Sequence, residues 1–199
     1  LFHRDWVVAA PAWKLLGRGT RRDVDIAGRS VLLVRGADGR ARAFANACRH
    51  RGSRLVTGPG CGGALTCRYH GWTYGLDGAL KNIPGADGFT GLPERARLGL
   101  TPVRCREALG LIWVCLDGEA PALEDALAGI AGELAPYALD AMRPVSERTQ
   151  TIPCNWKALL DVSLESYHLD QVHKNTVALI VSRQRMRFAR RGDHQHMTV

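Results

Sequence analysis

Two short segments, Cys48-Arg49-His50-Arg51-Gly52 and Cys67-Arg68-Tyr69-His70-Gly71-Trp72-Thr73-Tyr74-Gly75-Leu76-Asp77-Gly78, each place a thiol and an imidazole a few residues apart and follow them with glycine. Sixteen residues separate His50 from Cys67. Four donors of this kind admit two chemistries. A Cys₂His₂ set suits a tetrahedral Zn²⁺; two thiolates on one iron and two imidazoles on a second make a 2Fe–2S centre. Zinc fingers usually keep their cysteines together and their histidines together, whereas each pair here is mixed, which favours the two-iron reading. The glycines let two loops approach closely and turn backbone N–H groups toward sulfur.

Around these segments the chain reads as short strands with close turns. Asp23–Ile26 alternates, Ala27-Gly28-Arg29 is a turn, and Ser30–Val34 is a short buried run. Ala37-Asp38-Gly39 carries the Asp-Gly hairpin signal, with Ala41–Ala47 as its partner strand. Further strands are expected at Ala64–Cys67, Trp72–Gly75, Val103–Glu107 and Leu109–Leu116, so the first part is a small antiparallel β-domain. The pattern changes near Asp117–Pro121. Beyond it, Leu123, Leu127, Ile130 and Leu134 fall at helical spacing and predict one amphipathic helix over 123–137. Val145–Ile152 alternates as a strand would, and a second helix is expected from an Asn155 N-cap to about Tyr167.

That second helix leads to Glu165-Ser166-Tyr167-His168 and then His173. Two histidines five positions apart stand about 140° apart on an ideal helix. They can share a metal only if the chain turns between them, with the helix ending near His168 and Leu169–Val172 swinging His173 back. Glu165 and His168, three apart, would share a face. Two imidazoles with open positions beside them are the beginning of a 2-His-1-carboxylate iron site. Alone, this spacing also fits two unconnected histidines.

The 199 residues are 46% hydrophobic and 23% charged, the composition of an ordinary globular chain. No apolar run is long enough for a membrane helix, and Leu1–Trp6 has neither Met nor a signal-peptide layout. The formal charge is +8, carried by 23 Arg and only four Lys. These are scattered and not interleaved with aromatic residues, which argues against nucleic acid but suits an acidic protein partner. Six cysteines are too few for a disulfide scaffold and fit a reducing cytoplasm. The basic tail from Arg183 shows no closing element, and His194-Gln195-His196 reads as an exposed, flexible pair.

The C-x-H, sixteen residues, C-x-x-H-G-W pattern, followed by Asn155-Trp156-Lys157 and Glu165–His173, resembles the Rieske non-haem iron oxygenases, the aromatic-ring-hydroxylating dioxygenase alpha-subunit family. The resemblance implies a mainly β Rieske domain over 1–118, an antiparallel β-sandwich with two cluster-binding loops. It is followed over 119–199 by the beginning of an α+β helix-grip catalytic domain, the chain being cut at both ends. It implies a 2Fe–2S cluster on Cys48, His50, Cys67 and His70, and a mononuclear Fe(II) on His168 and His173, with a third carboxylate ligand beyond the chain end. Asp161 and Asp170 do not match that ligand. By the same match Glu165 is an electron bridge between subunits, and Ser53 and Tyr69 stand where respiratory Rieske proteins carry a disulfide. The implied activity is that of an oxygenase component using O₂ and electrons from NAD(P)H, through a reductase and sometimes a ferredoxin. It would hydroxylate, dihydroxylate or dealkylate a small organic substrate. A homotrimer, with or without small beta subunits, is the implied assembly, and exposed Arg49, Arg51, Arg54 and Arg68 could receive the donor. The alternatives are a Rieske ferredoxin-like carrier, which would make His168 and His173 incidental, and a catalytically incomplete fragment.

Overall fold

The run Val31-Leu32-Leu33-Val34 has no polar alternation because both of its faces are covered. A computed structural model, which describes residues 2–192 and 194–198, places it on an inner strand of a six-stranded antiparallel sheet. The strands in chain order are β1 (Val7–Pro11), β2 (Arg21–Ile26), β3 (Arg29–Arg35), β4 (Ala41–Ala45), β5 (Leu65–Thr66), β6 (Thr73–Tyr74), β7 (Leu80–Asn82), β8 (Pro102–Ala108) and β9 (Leu111–Cys115). The large sheet runs β1-β9-β8-β4-β3-β2, and β5-β6-β7 form a separate three-stranded sheet.

Alternate side chains of β3 supply two cores. Val31 and Leu33 join Ala10, Leu15, Ile26, Ala43, Ile112 and Val114 on one side of the large sheet. Leu32 and Val34 point the other way, into a cluster with Phe44, Leu55, Val56, Leu65, Trp72, Tyr74, Leu76, Leu80, Ile83 and Leu100. The small sheet therefore sits over the second face, and the thiols of Cys48 and Cys67 belong to the same cluster. Arg35 is buried despite its charge because Glu107 pairs with it at 2.6 Å and the Gly39 carbonyl accepts from it at 2.9 Å.

The strands expected from turn chemistry over the first part are all present; β2, β3 and β8 run longer than expected and β4, β5, β6 and β9 shorter. β1 and β7 were not expected. β1 exists through long-range pairing with β9, in the register Val7↔Val114 to Pro11↔Leu111. The chain divides into two compact units. The first runs to Ala126 and includes Tyr137–Met142. It continues past Gly118 because Arg104 donates to the carbonyls of Asp117 and Pro121, and the Trp6 indole N–H to Pro121 at 2.9 Å.

In the second unit, Leu127–Pro136 with the residues from Arg143 onward, several expectations are corrected. Instead of one helix over 123–137 there are α1 (Leu123–Leu127), α2 (Ala131–Leu134) and a 3₁₀ turn at Ala135–Tyr137. Gly129 interrupts the helix; a Cβ there would lie 2.8 Å from the Arg191 carbonyl, so the backbones meet too closely for a side chain. Val145–Ile152 is exposed and forms no strand, having no ladder partner among the described residues. The Asn155 cap holds, its Oδ1 accepting from Lys157 N at 3.0 Å, but α3 (Trp156–Ser163) stops well short of Tyr167. After α4 (Leu169–Val172) the supposed open tail closes as a hairpin of β10 (Arg187–Arg191) and β11 (His194–Thr198). His196 is accordingly no flexible residue: its Nε2 lies 3.1 Å from Glu133 Oε2. No helix among the described residues is long and apolar enough to cross a membrane.

Candidate metal centres

The two Cys-His segments fold into copies of one turn. In the first, Cys48 N donates to Ser53 O and Gly52 N to Cys48 O, both at 2.8 Å. In the second, Cys67 N donates to Trp72 O at 2.8 Å and Gly71 N to Cys67 O at 3.0 Å. Gly52 and Gly71 occupy matching places, each with φ of 73°, which explains glycine at both. The turns carry the four donors to one place and sort them. The Cys48 and Cys67 thiols lie together in one buried cluster, where each bears on the other, while the His50 and His70 rings face each other with centroids 4.7 Å apart. Sulfur thus meets sulfur in the core, and imidazole meets imidazole toward solvent, with Cys48 and Cys67 buried and His70 exposed.

The surroundings suit this division. Burial pushes the Cys67 thiol up, yet backbone N–H groups of Tyr69 and His70, with the Cys48 and Ser53 side chains, outweigh it and hold its pKa below the ordinary thiol value. Tyr74 is wholly buried, with its hydroxyl 3.3 Å from Cys48 Sγ and accepting from Arg49 N at 3.0 Å. Burial, followed by the Cys48 contact, raises the phenol's pKa, so it remains a protonated donor. At the other end, His50 stacks on Trp72 at 5.0 Å with 7° between planes, and Tyr69 stacks on His70 at 3.8 Å. Desolvation, then repulsion by His70 and Arg51, lowers the His50 pKa and favours the neutral ring. Neutral imidazole is the form that binds metal.

Sequence reasoning singled out the four donors but passed over Tyr74 and Asn46. The signal for Tyr74 was its place just after the second turn, on the limb that forms β6; for Asn46, a polar residue directly following the Ala41–Ala45 strand and leading into the first turn.

In the second unit the turn needed to bring His168 toward His173 lies elsewhere than expected. The chain breaks before His168, over Leu164–Tyr167, and the two histidines stand at opposite ends of the single-turn helix α4. Their rings lie 5.3 Å apart at 70°. His173 leaves helical geometry, at φ −111° and ψ 21°, which relieves the angular separation of an ideal helix. Glu165 therefore shares no helix face with His168. Its carboxylate instead closes the start of α4, accepting from the backbone N–H groups of Tyr167 and His168 and from His168 Nδ1. The His168 contact foremost, then those N–H groups, holds the Glu165 pKa below the usual range. An ionised carboxylate can only accept, so His168 Nδ1 donates to it, which fixes the ring and leaves Nε2 as the nitrogen that faces away from Glu165, as when an acid orients a metal-binding imidazole. Among the described residues, no third His, Cys, Asp or Glu completes a single-ion site.

Residues 5–96 match the family model described as "Rieske [2Fe-2S] domain", and residues 139–199 match "Ring hydroxylating alpha subunit (catalytic domain)". The chain belongs to the Rieske non-haem iron oxygenases. Members of this family carry a 2Fe–2S cluster in the first domain and mononuclear iron in the second. Over 177 residues the Rieske chain is 34% identical to the glycine betaine monooxygenase oxygenase subunit of Pseudomonas aeruginosa, a match covering 87% of this chain and 40% of that one. It is 33% identical, also over 177 residues, to the carnitine monooxygenase oxygenase subunit of Escherichia coli, covering 87% and 47%. The crystal structure of the quaternary ammonium Rieske monooxygenase CntA with L-carnitine superposes with a TM-score of 0.91 at 26% identity, covering 99% of this chain and 56% of that one. The chain spans about half the length of these relatives or less.

Proposed function

We propose that this chain is the electron-receiving and iron-binding part of a Rieske monooxygenase whose substrate is a quaternary ammonium compound. The observation that carries the reading is the sorting of donors into a thiol pair and an imidazole pair. A single zinc ion would draw all four to one point; a two-iron centre needs unlike ends. On this reading Cys48 and Cys67 hold one iron of the cluster and His50 and His70 the other. His168 and His173 hold the mononuclear iron, with a carboxylate supplied from outside these 199 residues. When bound, the cluster supplies single electrons and the mononuclear iron a site for O₂.

The chain's own residues set the conditions. The Cys67 backbone contacts stabilise negative charge on sulfur, and Tyr74 adds a hydrogen bond to Cys48. Glu165 fixes the tautomer of His168 and is the bridge through which electrons from a neighbouring subunit's cluster histidine reach the mononuclear site. Such a bridge requires a ring of subunits, and a homotrimer is the reading favoured here. Arg49, Arg51, Arg54 and Arg68 are exposed beside the imidazole end and offer an acidic reductase or ferredoxin a positive surface. None of the six cysteines is in a disulfide, which agrees with a reducing, cytoplasmic setting.

Glycine betaine and carnitine monooxygenases among the relatives support a trimethylammonium substrate over an aromatic ring. The test is substrate-dependent O₂ uptake by the full-length protein with NADH and a reductase. Uptake with glycine betaine, carnitine or choline, and none with naphthalene, is expected. Coupling to aromatic rings alone would overturn the substrate class, and a colourless protein holding zinc would overturn the whole reading.

A further inference from the structure

We infer that Asn46 is the positioning residue of the first ligand turn, taking the place of a β-ladder that the second turn has and the first lacks; this rests on the cluster reading above. The limbs of the second turn are β5 and β6, which pair through Leu65↔Tyr74 and Thr66↔Thr73 and so close the base of the turn with backbone bonds. The limbs of the first turn, on either side of residues 48–53, share no such ladder. Asn46 spans the gap with its side chain. Its Oδ1 accepts from Leu55 N at 3.0 Å and Val56 N at 3.1 Å. Its Nδ2 donates to Val56 O at 2.7 Å and to Ser30 Oγ at 3.0 Å. Its backbone N–H donates to Ser30 O at 3.0 Å, which ties the limb back to β3.

The amide thus offers Leu55 and Val56 the acceptor and donor that a neighbouring strand would offer. It does so from within the core, at 3% exposure, where water cannot substitute. An asparagine is needed because only a carboxamide combines one acceptor oxygen and two donor hydrogens in a side chain this short. Leu55 and Val56 are themselves buried in the cluster that contains Cys48 and Cys67. Their position sets where Cys48 and His50 stand relative to the second turn, and Asn46 sets theirs.

The experiment uses the full-length holoprotein. Wild type, Asn46→Ala, Asn46→Asp and the core control Leu32→Val are compared by melting temperature, by the rate at which an iron chelator bleaches the visible spectrum, and by the EPR g-values of the reduced cluster. Asn46→Ala is expected to bleach at least about tenfold faster than a control of equal melting temperature, because buried donors and acceptors lose their partners. It should also shift the g-values. Asn46→Asp keeps the Oδ1 contacts, loses the donations, and should fall between. Bleaching that only follows melting temperature, with unchanged g-values, would overturn the inference. Where neither variant folds, hydrogen exchange on the wild type decides: Leu55 and Val56 amides should be protected like those of the Leu65↔Tyr74 pair, and loop-like exchange would overturn it. A wild type without the cluster's spectrum would instead refute the ligand reading.

Discussion

Tyr74→Phe removes one oxygen atom, and the structure says what that atom does. Arg49 N donates to the hydroxyl at 3.0 Å, so the phenol proton is left for Cys48 Sγ at 3.3 Å. Two losses follow. Arg49 N–H loses its partner in a part-buried place, costing about 1–2 kcal/mol, which for a domain of this size is a fall in Tm of about 3–8 °C. The sulfur also loses a donor that matters more when the cluster carries an extra electron. With a differential of about 0.5–1 kcal/mol between the two states, the midpoint potential should drop by about 20–45 mV, since a tenfold change is 59 mV for one electron. Redox titration of the holoprotein followed by EPR measures it, and cluster content should stay at the wild-type level. A potential equal to or above that of wild type would refute the assignment of the phenol as a donor to ligand sulfur.

Cys48→Ser should abolish the brown colour and the Rieske EPR signal, and an unchanged spectrum would remove Cys48 from the ligand set. His168→Ala in the full-length protein should lower iron from three to two per subunit while the cluster spectrum persists; iron still at three would place the mononuclear site elsewhere. Glu165→Gln should keep all three irons yet slow electron delivery in single-turnover reduction, because the amide does not reproduce the carboxylate's hold on His168 Nδ1; normal transfer rates would refute the bridge. The depressed pKa of Glu165 gives a pH test as well. A carboxylate with a folded-state pKa below its unfolded one contributes stability above the unfolded value and loses it as pH falls through the folded one. Protection of the Tyr167 amide, corrected for intrinsic exchange, should therefore be flat from neutral pH down to the ordinary glutamate range and fall progressively below it, whereas a loss already complete within that range would contradict the sign.

The parts legible from sequence are those written in local chemistry. The Asp-Gly turn at 38–39 and the alternation around it place β3 and β4, and the paired glycines mark both ligand turns. What escaped depends on residues far along the chain. Leu123–Leu134 keeps helical spacing, but Gly129 must admit the Arg191 backbone, and nothing near position 129 announces that. β1 is a strand because β9, about a hundred residues later, accepts it. Val145–Ile152 has the strand pattern without a partner. At the second candidate centre the two histidines and Glu165 were singled out by spacing and resemblance. Their relation was misjudged because Glu165 caps a short helix instead of riding on a long one.

The segment joining the two ligand turns is strapped to β2 along its length. Gly58 N reaches Asp23 Oδ1 at 2.7 Å, Arg21 and Gly60 exchange backbone bonds at 2.8 and 2.9 Å, and the Arg21 guanidinium holds Ala64 O at 2.8 Å. None of these contacts involves a metal donor. In small zinc domains the ion itself supplies the energy of folding; here the segment between the two turns is already held by hydrogen bonds to a completed sheet. Polypeptide collapse and iron–sulfur assembly are thus separable events, and a chain made in iron-starved cells should accumulate as a finished, colourless receptacle that accepts its inorganic core afterwards without refolding.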